Sequence, residues 1–230
     1  MVIVSSTLTS QKTYRLVNTR FPAIDIFDDC ANVDEFEVLY AIQSLTNPRL
    51  QNEIGDLTLL NHDQIPFGIN GCSYATASFT HINRDGSRFS NGDFGVLYLA
   101  DTMETAIAET RYHVQKMLSL IEGLHFDMIV MKGLSCTISG ELIDIRANTI
   151  AEMQATDIYH HSDYSASQNL GFKNRKQRVE GLHYTSVRNP MSCCYALFTP
   201  KRVEEIIQST HYEYVWDGKS VEVRGITAIW

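Results

Sequence analysis

The stretch NGDFGVLYLADTMETAIAETRYHVQKMLSLIEG, residues 91–123, decides how the rest of the chain is read. Phe94 to Ala100 is a compact apolar run of strand length. Asp101 follows as a helix N-cap, with Glu104 three residues later, the spacing of a capping box. Met103, Ala106, Ile107, Thr110, Val114, Met117, Leu118 and Ile121 then recur at helical intervals. Gly123 is placed to stop that helix. The stretch predicts a strand, a tight turn and a long helix. Tyr98 is one of the few polar-tipped positions in the strand, and Glu109 groups with Thr105, Tyr112, His113 and Lys116 on the helix face opposite the apolar stripe.

Before this unit, Thr13 to Val17 reads as a short strand and Val33 to Leu45 as a helix ending before Pro48. Gln51 to Ala77 is turn-rich and fits no regular element, and Asn83 to Asp93 is a loop carrying Gly86 and Gly92. After it, Leu124 to Leu134 and Ile138 to Ile145 read as two strands joined by a turn through Ser135 to Thr137. Thr149 to Tyr159 and Tyr164 to Lys176 read as helices, Leu182 to Val187 and Cys194 to Phe198 as strands, and Lys201 to Gln208 as a short helix. Tyr212 to Trp216 and Ser220 to Arg224 flank Asp217-Gly218, a strong hairpin signal. Strands and helices mix without a βαβ rhythm, so the expected class is α+β.

The chain has 230 residues, 44% of them hydrophobic, enough for one sizeable core, and no repeat or linker divides it. A single domain over 1–230 is expected. Met1 to Ser10 has a short apolar start without a basic region, so a leading strand or a frayed end is expected there. No run is apolar enough for a membrane span, and five cysteines without CxxC spacing suit a reducing cytoplasm. The net charge of −8 argues against direct nucleic-acid binding. Its cations cluster locally, Arg84 with Arg88, and Lys173 with Arg175, Lys176 and Arg178, which suits a small anion or a basic protein partner. Dinucleotide-fold, P-loop, zinc-protease and nucleophile-elbow signatures are all missing. His160 and His161 are adjacent and face different ways on a helix, so no metal is expected.

Three segments place polar residues beside apolar strands. In the loop Arg84 to Gly92, glycines let backbone approach a ligand, and an arginine can grip phosphate through two charge-assisted bonds. On the helix, Glu109 can stabilise a developing cation if its face lines a cleft. In Gly181 to Pro190, Tyr184 and Ser186 alternate along a strand and so share a face. Taken singly, these are also what a solvated loop, an exposed helix charge and a half-wet strand look like.

Together the three segments resemble the RES-domain family, named for its arginine, glutamate and serine. Asn91 to Ala100 with Glu104 to Thr110 is similar to its central signature, and Gly181 to Asn189 with Cys194 to Pro200 to its C-terminal one. Tyr164 to Leu170, with Gln168, resembles the segment that precedes the latter, and Tyr14-Arg15 the family's N-terminal pair. The good match covers about residues 84–200. Four positions depart from the family pattern: Ser90 after Phe89, Thr185 before the serine, and Met191 and Ser192 after Asn189-Pro190.

The resemblance implies an ADP-ribosyltransferase-like mixed β core with flanking helices. It implies an enzyme that uses NAD⁺ as substrate, and the toxin role in a toxin–antitoxin pair whose partner is an Xre-like helix-turn-helix antitoxin. On that basis Glu109, Arg88 and Ser186 are the catalytic candidates. Glu109 stabilises an oxocarbenium-like ribose, Arg88 and Arg15 hold phosphate oxygens, and Ser186 bonds the ligand or orients Glu109. Tyr98 packs on nicotinamide or ribose, with Tyr14, Gln168 and Arg188 as further ligand contacts. Water, phosphate and a protein side chain all remain open as acceptors. The alternative is a non-catalytic nucleotide- or protein-binding module on the same fold.

Overall fold

The computed structural model describes residues 4–20, 27–46, 55–146 and 156–226. Seven strands form one mixed sheet: β1 (Ser5–Asn18), β2 (Leu97–Ala100), β3 (Asp127–Asp144), β4 (Gly181–Thr185), β5 (Cys193–Leu197), β6 (Val203–Trp216) and β7 (Val221–Ile226). The helices are α1 (Val33–Thr46), α2 (Cys72–Thr80), α3 (Met103–Ser119) and α4 (Ser165–Lys176). The strand order is β1-β2-β5-β4-β3-β6-β7, and β1 also pairs with β3. The first five strands thus close on themselves. Among the described residues only the β3–β4 pairing is parallel. This is the expected α+β class.

Alternation along the strands feeds two cores, one on each face of the sheet. Leu97, Leu99, Tyr195, Leu197, Leu134, Cys136 and Ile138 pack with Phe36 of α1 and Cys72, Ala75 and Phe79 of α2. Ala100, Cys194, Ala196, Leu182, Tyr184 and Tyr214 pack on the other side with Ala106 and Leu118 of α3 and with Phe89. Such burial, at about 25 cal/mol per Å² of apolar surface, is the main term holding the layers together.

Several elements differ from the sequence expectation. The two strands expected around Ser135 to Thr137 are one continuous strand, β3. Ser135, Cys136 and Thr137 each pair with β1 on one side and β6 on the other, so the backbone finds its partners without turning. Lys201 to Gln208 is not a helix: a short 3₁₀ turn over Pro200–Arg202 runs into β6. The β-branched Val203, Ile206 and Ile207 fit a pleated surface next to β3 better than a helix. Asp101 does not cap α3. Thr102 does, its side chain accepting from the Thr105 N–H at 3.1 Å, while Asp101 accepts from the Cys193 N–H at 2.9 Å. The region 51–77 contains most of α2 and two 3₁₀ turns, Leu57–Leu59 and His62–Gln64. β4 ends at Thr185, so Ser186 lies in the turn beyond it and does not share a strand face with Tyr184. The expected helix Thr149 to Tyr159 lies mostly outside the described residues. The Asp217-Gly218 hairpin is present between β6 and β7, and α1, α3 and α4 stand where periodicity placed them.

Candidate functional site

One face of α3 forms a wall of a cleft of about 730 Å³: Ala106, Glu109, Thr110, His113 and Lys116 recur along it at helical spacing. Across the cleft stand the loop after α2, with Gly86, Ser87 and Arg88, and the start of α4, with Tyr164, Ser165 and Gln168. Its floor is consecutive residues of two strands, Tyr14, Arg15 and Leu16 of β1 and Tyr98, Leu99 and Ala100 of β2. The volume falls within the range of small-molecule sites.

Glu109 is held by the turn that follows β4. Its Oε1 accepts from Ser186 Oγ at 2.6 Å, from the Val187 N–H at 3.1 Å and from the Arg188 N–H at 3.4 Å. Oε2 makes no hydrogen bond among the described residues and belongs to the side chain that lines the cleft. The turn is itself fastened. The Asn189 and Arg188 N–H groups donate to Ser186 Oγ at 3.0 and 3.2 Å, and the Asn189 side-chain amide donates to Thr105 Oγ1 on α3 at 3.1 Å. Ser186 is 1% exposed. Of the two contacts expected for it, the structure has the one to Glu109.

Arg88 is 7% exposed. Its Nη1 donates to the carbonyls of Ile158 at 3.0 Å and His160 at 3.2 Å, and its guanidinium lies 4.5 Å from the centre of the Tyr164 ring. Nη2 is buried with no hydrogen-bond partner among the described residues. A buried cation with an unused N–H fork calls for an anion. Arg15 also reaches the cleft, with Nη1 donating to Ser78 Oγ at 2.6 Å. Burial lowers the Arg15 pKa, countered by the neighbouring Cys136 and Tyr98.

Tyr98 and Gln168 line the cleft, but their polar ends hold the arginine loop. Tyr98 Oη accepts from the Phe89 N–H at 2.9 Å and hydrogen-bonds Ser87 Oγ at 2.8 Å, and burial pushes its pKa up to about 12. Gln168 Nε2 donates to the carbonyls of Ser87 at 3.1 Å and Ser90 at 3.3 Å. Gly86, which lines the cleft, and Gly92 pack tightly within their own loop: added Cβ atoms would stand 2.8 Å from the Ser90 carbonyl oxygen and 2.5 Å from that of Arg84. Tyr14 lies on the floor. Arg188 is not part of the cleft lining. Its guanidinium lies 3.3 Å from the centre of the Tyr112 ring, and Nη2 donates to the His161 carbonyl at 2.5 Å.

Ser78 escaped sequence reading, and so did the roles of three residues it did name: Thr105 and Asn189, which bolt the turn to α3, and Tyr164 over Arg88. No short-range pattern marks them, because each acts on a residue far away in the chain. Among the described residues no group of three or more histidine, cysteine or acidic side chains could hold a metal. None of the helices searched among them is long and apolar enough to cross a membrane.

The sequence profile of the RES domain matches residues 65–217. The chain belongs to the RES-domain family. That span holds the arginine loop, α3 with Glu109 and the turn with Ser186, and leaves Tyr14 and Arg15 outside it. Among curated proteins the RES-domain chain is similar to the uncharacterized protein y4oC of Sinorhizobium fredii (strain NBRC 101917 / NGR234). The two are 29% identical over 212 residues, 91% of this chain and 85% of that one. Among solved structures it is similar to a chain in the M. tuberculosis MbcT–MbcA toxin–antitoxin complex. There the identity is 14% and the TM-score 0.37, over 55% of this chain and 73% of that chain, too distant a likeness to bear on the site.

Proposed function

We propose that this RES-domain chain cleaves the nicotinamide–ribose bond of NAD⁺ and acts as the toxin of a toxin–antitoxin pair. The observation that carries the reading is the pairing in one cleft of a buried arginine whose Nη2 has no partner among the described residues with a glutamate gripped, among those residues, through one oxygen. The first suits the phosphates of a dinucleotide, the second a cationic sugar.

Nicotinamide in NAD⁺ is a pyridinium, so it leaves as a neutral ring without a general acid. Positive charge then gathers on the ribose as an oxocarbenium-like state. The Glu109 carboxylate, aimed by Ser186 and two backbone N–H groups, stabilises that charge, and its preorganisation is what speeds the step. Arg88 and Arg15 hold phosphate oxygens and so fix the sugar's distance from Glu109. Tyr14, Tyr98 and Gln168 shape the floor and the opposing wall, and Tyr98 and Gln168 also keep Arg88 in place. Arg188 acts through the turn, not on the ligand. NAD⁺ is a substrate here, and no step asks for a metal. The partner in this reading is an Xre-like antitoxin, and the setting is the cytoplasm.

The test is NAD⁺ loss and nicotinamide release by the purified chain and by Glu109→Gln, which keeps size and removes charge. Turnover should fall at least about 100-fold in the variant, with NAD⁺ affinity by calorimetry within a few-fold. Expression of the chain alone in bacteria should arrest growth, and Glu109→Gln should relieve the arrest. Near-normal NAD⁺ consumption by Glu109→Gln removes the carboxylate from the chemistry. NAD⁺ binding without turnover by the unsubstituted chain, even with a bacterial lysate added as acceptor source, leaves a binding module.

A further inference from the structure

The cleft contains an imidazole that nothing above uses. His113 lines it and stands four residues after Glu109 on α3. Residues at that spacing share a helix face, with Cβ atoms about 5–6 Å apart. His113 is partly open to solvent, with its ring edge-on to Tyr112 at 5.3 Å between centres.

Four other cleft-lining groups, Tyr98, Tyr184, Cys194 and Asp163, are poorer proton acceptors. Tyr98 and Tyr184 are phenols whose pKa burial raises, so they keep their protons near neutrality. Burial likewise pushes the Cys194 thiol well up. Asp163 spends a carboxylate oxygen on the N–H and hydroxyl of Ser165, and those bonds hold its pKa down. For His113, partial desolvation of the ring by the side chains packed around it comes first and lowers the pKa; Glu109 raises it, and Arg188, Arg88 and Lys116 lower it further. The net shift is downward, so near neutrality the ring is an uncharged base.

We propose that His113 is the base that deprotonates an attacking water, which makes the chain an NAD⁺ glycohydrolase. This rests on the NAD⁺ reading above and narrows its acceptor. The C1′–N bond breaks with its electron pair going to nicotinamide. Water oxygen bonds C1′ as that bond opens, before nicotinamide can recombine, while His113 takes a water proton and passes it to solvent. NAD⁺ and water give ADP-ribose, nicotinamide and one proton. An anionic acceptor such as phosphate needs no such base, and this is what separates the outcomes.

The experiment measures ADP-ribose and nicotinamide formed by the unsubstituted chain, His113→Gln and Glu109→Gln, across pH, with and without azide or inorganic phosphate. His113→Gln should slow ADP-ribose formation on the order of 100-fold and flatten the acid limb of the kcat profile. Azide, a nucleophile with no proton to lose, should restore nicotinamide release to His113→Gln and give the azido sugar. It should not restore release to Glu109→Gln. A change under about threefold in His113→Gln overturns the assignment, as does activity lost without rescue by azide. His113→Asn serves as the second variant if the glutamine form melts early. Turnover that depends on phosphate and yields no ADP-ribose also overturns it while leaving Glu109's role standing. No nicotinamide release by the unsubstituted chain, with or without these anions, sinks the NAD⁺ reading together with His113's part in it.

Discussion

At the scale of single residues, the site depends on few atoms with several duties each. Ser186 Oγ donates to Glu109 and accepts two backbone N–H groups, so its removal loosens the carboxylate and the turn together. Ser186→Ala should lower kcat by about 10- to 100-fold, the equivalent of about 1–3 kcal/mol for a lost hydrogen bond to a charged group. KM should change little, because neither Arg88 nor Arg15, the proposed phosphate holders, is touched. Steady-state kinetics check this, and a loss confined to KM would refute the orienting role. The serine was legible in sequence as a candidate, but its partner was not, because 77 residues separate Ser186 from Glu109.

At the scale of elements, α4 and the arginine loop form one unit. Gly171 in α4 lies so close to the loop that an added Cβ would stand 1.9 Å from the Phe89 carbonyl oxygen and 2.8 Å from its carbon. Gly171→Ala should push the loop away and loosen the grip of Gln168 on Ser87 and Ser90. The expected cost is about 1–3 kcal/mol of stability, read by urea titration, along with weaker NAD⁺ binding by calorimetry. Sequence periodicity placed α3, α4 and the β6–β7 hairpin because each carries its own local signal. It missed the length of β3, whose Ser135–Thr137 stretch looks like a turn only until strands on both sides supply hydrogen bonds. It missed the start of β6 for the same reason: Lys201 to Gln208 has helical spacing, and its neighbour in the sheet overrides it. Glu109, His113 and Lys116 of the cleft wall were readable as one polar face, whereas Ala106 and Thr110 read as part of the apolar stripe, and the strap of Ile158 and His160 carbonyls over Arg88 was not readable at all.

For the whole molecule, the face of the sheet away from the cleft sets a response to acid. His183 is 5% exposed and stacks on Tyr195 at 4.7 Å; its Nδ1 hydrogen-bonds Ser6 Oγ, and Nε2 is buried without a partner among the described residues. Burial, and then Arg146, lower its pKa below the ordinary 6.5, with Asp144 and Asp101 pulling the other way. The folded state therefore binds fewer protons than the unfolded chain just below that value. This contribution to stability is whole above about pH 6.5 and is lost as pH falls toward the folded-state pKa. Melting temperature should hold near about pH 7.5 and decline toward about pH 5.5, with a shallower decline in His183→Gln. An equal decline in the variant would assign the effect elsewhere.

Among the described residues the ring of strands closes on one side through a single pair, Tyr14 with Ala100. Both residues are also cleft floor. A ligand lying across them works like a rivet over a seam: it spans the point where the barrel wall is thinnest and joins two strands that otherwise barely touch. Occupancy of the cleft and stiffness of the sheet are then one variable, and a blocker filling the cleft also stiffens the protein it silences.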